Sequence, residues 1–468
     1  MKKCHLIQAI RAFSKKEIRD FRKWVQSPIH NQREDVVKLL DYLTANEHLE
    51  NDEKLEKNLV FAYLLPKEKY DDAKMRQTMY FFSECIDAFL VYQKFLEDEG
   101  RQQGLLSAAY RQKGLDKAFN KTIHNFIEKK DKKTLYSRQS YMADYEIQRE
   151  LFNFKSKHER SQNTNFEAMQ AALDNFYLVN KLQMACEALY HAKVFKVNYE
   201  IRFLESIFQF LDEYPSDQPL IKTYHTILLT LKFPNEEAYF HLLKEQIKDY
   251  TPYFSWLDAH EIYLLAINYG VSKINQGKVE FQQDVFFLYK NGIESGYLLE
   301  NDVISAYTFK NAVGLGIHLK ELAWVEQFIK EYAEKLEAEQ RKGLVDFNLA
   351  MLYYTKKDYR KAQRLLASFE VDDLLITLNA KFLLVKIYVE EGEFDLLDTH
   401  LSTMRVYLNR KEVLGYHKSL YKNVIHFTKK INRITPYTKV EKEKLIEEIK
   451  AATPLADKEW FIRQVQAL

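Results

Sequence analysis

The chain has 468 residues with only 12 glycines and 8 prolines, well under the average usage of ~7% and ~5%. Tight-turned sheets and phosphate-cradling loops both need those residues, so the composition excludes them as the main architecture and points to long helices with short connections. Lysine and arginine number 69 against 67 acidic residues, a net charge of +2. That excludes a global polyelectrolyte, and three scattered cysteines (Cys4, Cys85, Cys186) exclude a disulfide framework.

The first residues, Met1-Lys2-Lys3-Cys4-His5-Leu6-Ile7, start like a signal peptide, but the apolar run fails at Arg11 and no small-residue cleavage site follows. No apolar run reaches the ~18–20 residues of a membrane-spanning helix, so the expectation is a cytoplasmic protein with no membrane role. Residues 1–97 read as an N-terminal helical cap domain. Ser14-Lys15-Lys16-Glu17 is a capping box, and the helix behind it places Ile18, Phe21, Trp24 and Val25 on one face until Ser27-Pro28 ends it. A second helix carries Val36, Val37, Leu39, Leu40 and Leu43, and a third is expected near Glu53–Leu64. A long one runs from Asp71-Asp72 to about Phe95, with Tyr80, Phe81, Ile86, Phe89, Leu90 and Tyr92 expected mostly inward. Such a succession could be a helix-turn-helix reader of DNA. Base reading wants Arg, Asn or Gln at the start of the recognition helix, whereas Asn51–Lys57 mixes Asp52, Glu53 and Glu56 with Lys54 and Lys57.

Residues 98–165 read as connecting hairpins, the first punctuated by Leu106, Tyr110, Gly114 and Ala118. A polar helix is expected over Tyr141–His158. Thr164-Asn165-Phe166-Glu167 reads as a capping box opening a long helix to about Val197. Hairpins then recur over 166–435. Phe203, Leu204, Ile207, Phe208 and Leu211 form a stripe ending at Tyr214-Pro215, and Pro234-Asn235 should start the next helix. His260–Tyr269 pairs with Val285–Tyr289, and Asn311–Ile317 with Leu322–Phe328. Residues 436–468 read as C-terminal capping helices. Thr438-Lys439-Val440-Glu441 caps one of them, and Thr453-Pro454 is expected at the first turn of the last, which carries Trp460, Phe461, Ile462 and Val465.

The clearest internal repeat lies over 344–401. One copy runs Leu349-Ala350, Tyr353, Asp358-Tyr359, Ala362, Leu366; the next runs Leu384-Val385, Tyr388, Gly392, Phe394, Leu397, Leu401. Tyr353 and Tyr388 stand 35 positions apart, as do Ala362 and Leu397. This pattern resembles the tetratricopeptide repeat, a helix-turn-helix unit of about 34 residues. Ala350 and Ala362 resemble its small residues, Tyr353 and then Tyr359 and Phe394 its aromatics, and Asp358 or Gly392 its turn residue. Val385 and Leu397 replace small residues in the second copy, and the tryptophan and closing proline are absent. The resemblance implies an all-α fold, a right-handed α-solenoid of such hairpins behind the N-terminal cap domain, and a scaffold that binds a protein or peptide.

Motifs for chemistry are missing or broken. Gly314-Leu315-Gly316 lacks a third glycine, since position 319 is Leu319, and reads as helix packing. His260-Glu261 lacks a second zinc ligand, since position 264 is Leu264. Gly292-Ile293-Glu294-Ser295-Gly296 misplaces its serine for a nucleophile elbow, and no Cys-x-x-Cys occurs. No catalytic residue, cofactor or metal is therefore implied, and an enzyme would need a site assembled only in three dimensions.

One surface stands out. Arg405–Val440 holds nine basic residues and one acidic residue, Glu412. If Lys411–Arg433 is one helix turning ~100° per residue, then Lys411, Lys418, Lys422, Lys429 and Arg433 share a ~60° stripe. Leu414, His417, Leu420, Tyr421, Val424, Phe427 and Ile431 take the remaining arc. The stripe reads as a solvated face balanced by Glu441, Glu443 and Glu447, as a site for an acidic protein partner, or as a nucleic-acid contact with strong salt dependence.

Overall fold

The structure, a computed structural model, describes residues 1, 4–45, 48–132, 136–158, 164–367, 369, 374–410, 415–433 and 439–468. In keeping with the scarcity of glycine and proline, the described residues are 80% helix, in 23 α-helices with almost no sheet. Among the described residues no helix is long and apolar enough to cross a membrane. The chain divides into two compact units, Met1–Asn180 and Lys181–Leu468.

The first unit holds α1 (His5–Ala12), α2 (Lys15–Gln26), α3 (Glu34–Leu43), α4 (Lys57–Leu64), α5 (Asp72–Glu97), α6 (Glu99–Gln112), α7 (Asp116–Lys132), α8 (Arg138–His158) and the start of α9 (Phe166–Phe195). The Ser14 capping box forms: Glu17 N–H donates to Ser14 Oγ at 3.2 Å, and Ser14 N–H donates to Glu17 Oε2 at 2.7 Å. That starts α2 so that Phe21 and Val25 point inward, and Phe21 meets Phe82 edge-on at 5.7 Å. Ile7, Leu39, Leu40, Val60 and Ile86 complete this core.

Three expectations for this unit need correction. The helix expected over Glu53–Leu64 begins only at Lys57; Asp52–Leu55 is a separate 3-10 turn capped by Asn51, whose Oδ1 accepts from Glu53 N–H at 3.0 Å. Tyr80, Leu90 and Tyr92 are 59%, 38% and 42% exposed. The buried side of α5 is the arc through Met75, Phe82, Cys85, Ile86 and Phe89; at ~100° per residue Tyr80 lies almost opposite its centre, with Leu90 and Tyr92 at its edges. Lastly, α9 starts at Phe166, one residue later than a box on Thr164 requires, and Asn165 turns its side-chain amide to Gln148 O at 2.8 Å.

The second unit holds the rest of α9, then α10 (Leu204–Glu213), α11 (Pro219–Lys232), α12 (Ala238–Tyr250), α13 (Trp256–Asn275), α14 (Phe281–Glu294), α15 (Ala306–His318), α16 (Leu322–Tyr332), α17 (Ala338–Thr355), α18 (Tyr359–Ala367), α19 (Leu374–Glu391), α20 (Phe394–Arg410), α21 (Gly415–Arg433), α22 (Lys439–Ala451) and α23 (Lys458–Ala467). Between α14 and α15 sits a two-stranded hairpin, β1 (Leu299–Glu300) and β2 (Val303–Ile304). Asn301 and Asp302 both take positive φ there, 51° and 66°, as a tight two-residue hairpin turn demands.

One turn chemistry recurs. After α13, α15, α17 and α19 a single residue is left-handed: Gly277, Lys320, Lys357 and Gly392, with φ of 90°, 63°, 59° and 70°. The next N–H reaches back five residues: Lys278 to Lys273 O, Glu321 to Gly316 O, Asp358 to Tyr353 O and Glu393 to Tyr388 O, at 2.8–3.1 Å. Such caps satisfy the last carbonyls of a helix and reverse the chain at once. Gly114, between α6 and α7 in the first unit, does the same, with Leu115 N–H reaching Tyr110 O at 2.9 Å. Glycine poverty is thus compatible with hairpins because each turn needs one left-handed residue. In the first repeat copy that residue is Lys357 and not Asp358. Asp358 is left free to accept from Lys361 N–H at 3.3 Å and start α18.

Two proline expectations also shift. Pro234 and Asn235 lie in the turn before α12, which begins at Ala238. Thr453-Pro454 stays in the connection before α23, because Asp457 caps that helix by accepting from Trp460 N–H at 3.2 Å. Thr438 lies outside the described residues. The final helix docks as expected: Trp460, Phe461 and Val465 are buried against Phe382, Leu401, Phe427 and Ile449.

Candidate functional site

The basic stripe lies on α21. The described helix begins at Gly415, so Lys411 is outside the described residues and the stripe is Lys418, Lys422, Lys429 and Arg433. Lys422 and Arg433 are exposed, while Lys418 and Lys429 are half-buried. Its rotation is fixed by what the other side buries: Tyr421, Val424, Ile425, Phe427 and Ile431 are each under 8% exposed. Polar ties add to the lock. Tyr421 OH donates to Asn379 Oδ1 at 2.9 Å, and Asn423 Nδ2 donates to Pro454 O at 2.8 Å. Burial pushes the Tyr421 phenol well above its ordinary pKa, so it stays a neutral donor.

Two neighbouring carboxylates, Glu448 and Glu443, pair with other lysines. Glu448 pairs with Lys430, one position off the stripe, and that ammonium holds Glu448 below the usual carboxylate range. Glu443 lies 4.0 Å from Lys439 on its own helix. Among the described residues no ion pair joins Lys418, Lys422, Lys429 or Arg433 to an acid.

The motifs that suggested chemistry are placed by packing. Gly314 and Gly316 fall inside α15, not at a strand-to-helix turn. His260 stacks on Trp256 at 4.8 Å, with Nδ1 2.7 Å from Tyr297 O. Two concavities lie in the second unit. A groove of about 580 Å³ runs along α20 past Asp398, Thr399, Ser402, Thr403 and Val406. A cavity of about 120 Å³ is lined by His225, Gln246, Lys222 and Ser216 among others. Neither brings histidine and carboxylate together in its lining. Among the described residues no three His, Cys, Asp or Glu side chains are grouped to hold a metal ion.

Two polar clusters were not legible in the sequence. Tyr224, fully buried, reaches Glu261 Oε2 at 3.2 Å and Asp258 Oδ1 at 3.4 Å, and Gln183 Nε2 donates to Glu261 at 3.2 Å, tying α9, α11 and α13. Glu390 gathers Tyr354, Tyr359 and Trp460. Partners 31 to 78 positions apart leave no local signal. Both clusters knit helices together and neither opens to a cavity described above.

Comparison with known proteins finds no counterpart: no family model matches the chain, and no curated protein or solved structure is significantly similar to it.

Proposed function

We propose that this chain is a non-catalytic helical-repeat scaffold of the cytoplasm that holds a protein or peptide. In this reading the hairpins of 166–435 stack side by side as a right-handed solenoid. Residues 1–97 form an N-terminal helical domain, 98–165 connect, and 436–468 close the last apolar face. The observation that carries it is the hairpin turn. Lys357 and Gly392 stand 35 positions apart in the same left-handed backbone, with the same back-reaching hydrogen bond. The small residues Ala350 and Ala362 that let paired helices approach are fully buried. Repeats of this kind present long surfaces and no cleft, which suits holding a partner better than reacting with a small molecule.

The test is recovery of a partner. Tagged full-length protein incubated in native extract at mild salt should retain at least one protein in near-stoichiometric amount. Repeated capture with no enrichment over a tag-only control overturns the reading.

A further inference from the structure

We infer that the cation stripe of α21 seats an acidic α-helical segment of a partner protein, its carboxylates matched to Lys418, Lys422, Lys429 and Arg433. The inference rests on the scaffold reading for the partner being a protein, and adds its chemistry and its place.

The stripe works against its own helix. Gly415–Arg433 contains five Lys or Arg residues and no Asp or Glu. Lys418 with Lys422, and Lys429 with Arg433, are like charges four positions apart, an arrangement that destabilises a helix. Lys430 and Arg433 lie in the last turn of the described helix, where the dipole welcomes cations. Helix stability does not account for these like-charge pairs. Among the described residues no acid forms an ion pair with the four: Glu448 pairs with Lys430 and Glu443 with Lys439. An anion from outside resolves the imbalance.

The surroundings select which anion. Tyr421 and Phe427 are 3% and 6% exposed, which leaves the His426 imidazole as the exposed ring described on α21 and little ring area for stacking bases. Val424, Ile425 and Ile431 are buried too, so the helix offers no exposed apolar side chain of theirs to a lipid surface. A charged protein segment remains. Its conformation follows from spacing. The four cations are separated by 4, 7 and 4 positions, or about 6, 10 and 6 Å along the axis. An extended chain rising ~3.4 Å per residue would meet the middle gap in about three residues, which turns its next side chain to the opposite face. A helix laid alongside meets all four with acids at the same separations, and in either direction, since the spacing reads the same reversed.

Fluorescence anisotropy on the full-length protein decides the matter. The probe is a labelled Ala/Gln-rich peptide of about twenty residues with glutamates 4, 7 and 4 positions apart. Its controls are a peptide of the same composition with the glutamates spread round the helix, and a labelled single-stranded oligothymidylate. The matched peptide should bind about tenfold tighter than the spread one at low salt, and weaken as salt rises. Lys418→Glu with Lys422→Glu should lose about tenfold at unchanged helicity by circular dichroism. Lys429→Gln with Arg433→Gln, a milder pair, should lose less but in the same direction. Equal binding of both peptides, indifference to these substitutions, or tighter retention of the oligonucleotide overturns the inference. If the charge-reversed protein still captures the same partner from extract, the stripe is not its seat and the scaffold reading stands. If peptide binding behaves as expected but no partner is ever recovered, the scaffold reading fails alone.

Discussion

The indole N–H of Trp460 donates to Glu390 Oε1 at 2.7 Å, across 70 positions of sequence. The same carboxylate accepts from Tyr359 OH at 2.6 Å and from Tyr354 OH at 2.5 Å. One side chain at the end of α19 therefore ties α17, α18 and the final helix α23. Burial, and then the Glu390 charge, raises the pKa of both phenols, so both remain donors at neutral pH.

That node gives the first prediction. Trp460 is 2% exposed, so Trp460→Phe keeps most of its packing and loses one hydrogen bond, for about 1 kcal/mol. Trp460→Ala adds a cavity and should cost about 3–5 kcal/mol. Glu390→Ala strands a buried indole N–H and should cost about 1–3 kcal/mol, with Glu390→Gln milder because an acceptor remains. Urea denaturation followed by circular dichroism measures all four. Equal stability of Glu390→Ala and wild type would remove the node as a fastening of α23.

Two glycines on α15 separate packing from permissiveness. A Cβ on Gly316 would sit 2.6 Å from Val325 Cγ2, whereas one on Gly314 would meet nothing within 4 Å. Gly316→Ala must push α16 away and should destabilise by about 1–3 kcal/mol. Gly314→Ala gains helix propensity and should stabilise by up to about 1 kcal/mol. Thermal melts of the two variants should move in opposite directions, and a shared direction contradicts the account.

How far the sequence carried can be judged from such residues. Gly316 behaves as the packing glycine expected of Gly314-Leu315-Gly316, while Gly314 has no such duty, and nothing in the spacing tells them apart. Helix existence was legible because apolar periodicity and the Ser14 box are local. The outward placement of Tyr80 was not, because which arc of α5 is covered depends on helices distant in sequence. The turn residue Lys357 was missed because lysine carries no mark of a left-handed backbone. Gly392 was found because glycine does. For the candidate site, periodicity alone aligned Lys418, Lys422, Lys429 and Arg433. That Glu448 and Glu443 would be occupied by Lys430 and Lys439 needed coordinates.

The hairpin turns supply a matched pair of substitutions. Lys357 holds φ of 59°, where a side chain is strained, and Gly392 holds φ of 70° without that cost. Lys357→Gly should stabilise by up to about 1 kcal/mol, the relief of strain being partly offset by greater freedom when unfolded. Gly392→Ala should destabilise by about 1 kcal/mol. If both changes destabilise equally under urea, the two turns do not share a backbone conformation.

Two half-buried histidines should contribute to the response to acid. Burial lowers the pKa of His225, against the opposing pull of Asp212, and the ring's Nε2 is buried with no hydrogen-bond partner among the described residues. Burial likewise lowers that of His400, whose Nε2 lies 2.9 Å from Lys381 O. Each ring is harder to protonate folded than unfolded, so below the unfolded pKa of about 6.5 the unfolded chain binds more protons. Their contribution to stability is complete above that pH and declines as pH falls toward the depressed folded values. The melting temperature should therefore drop between pH 7.5 and 5.5, and His225→Gln with His400→Gln should shrink that drop even though the pair is less stable at pH 7.5. An unchanged drop in the double variant would assign acid sensitivity to other groups.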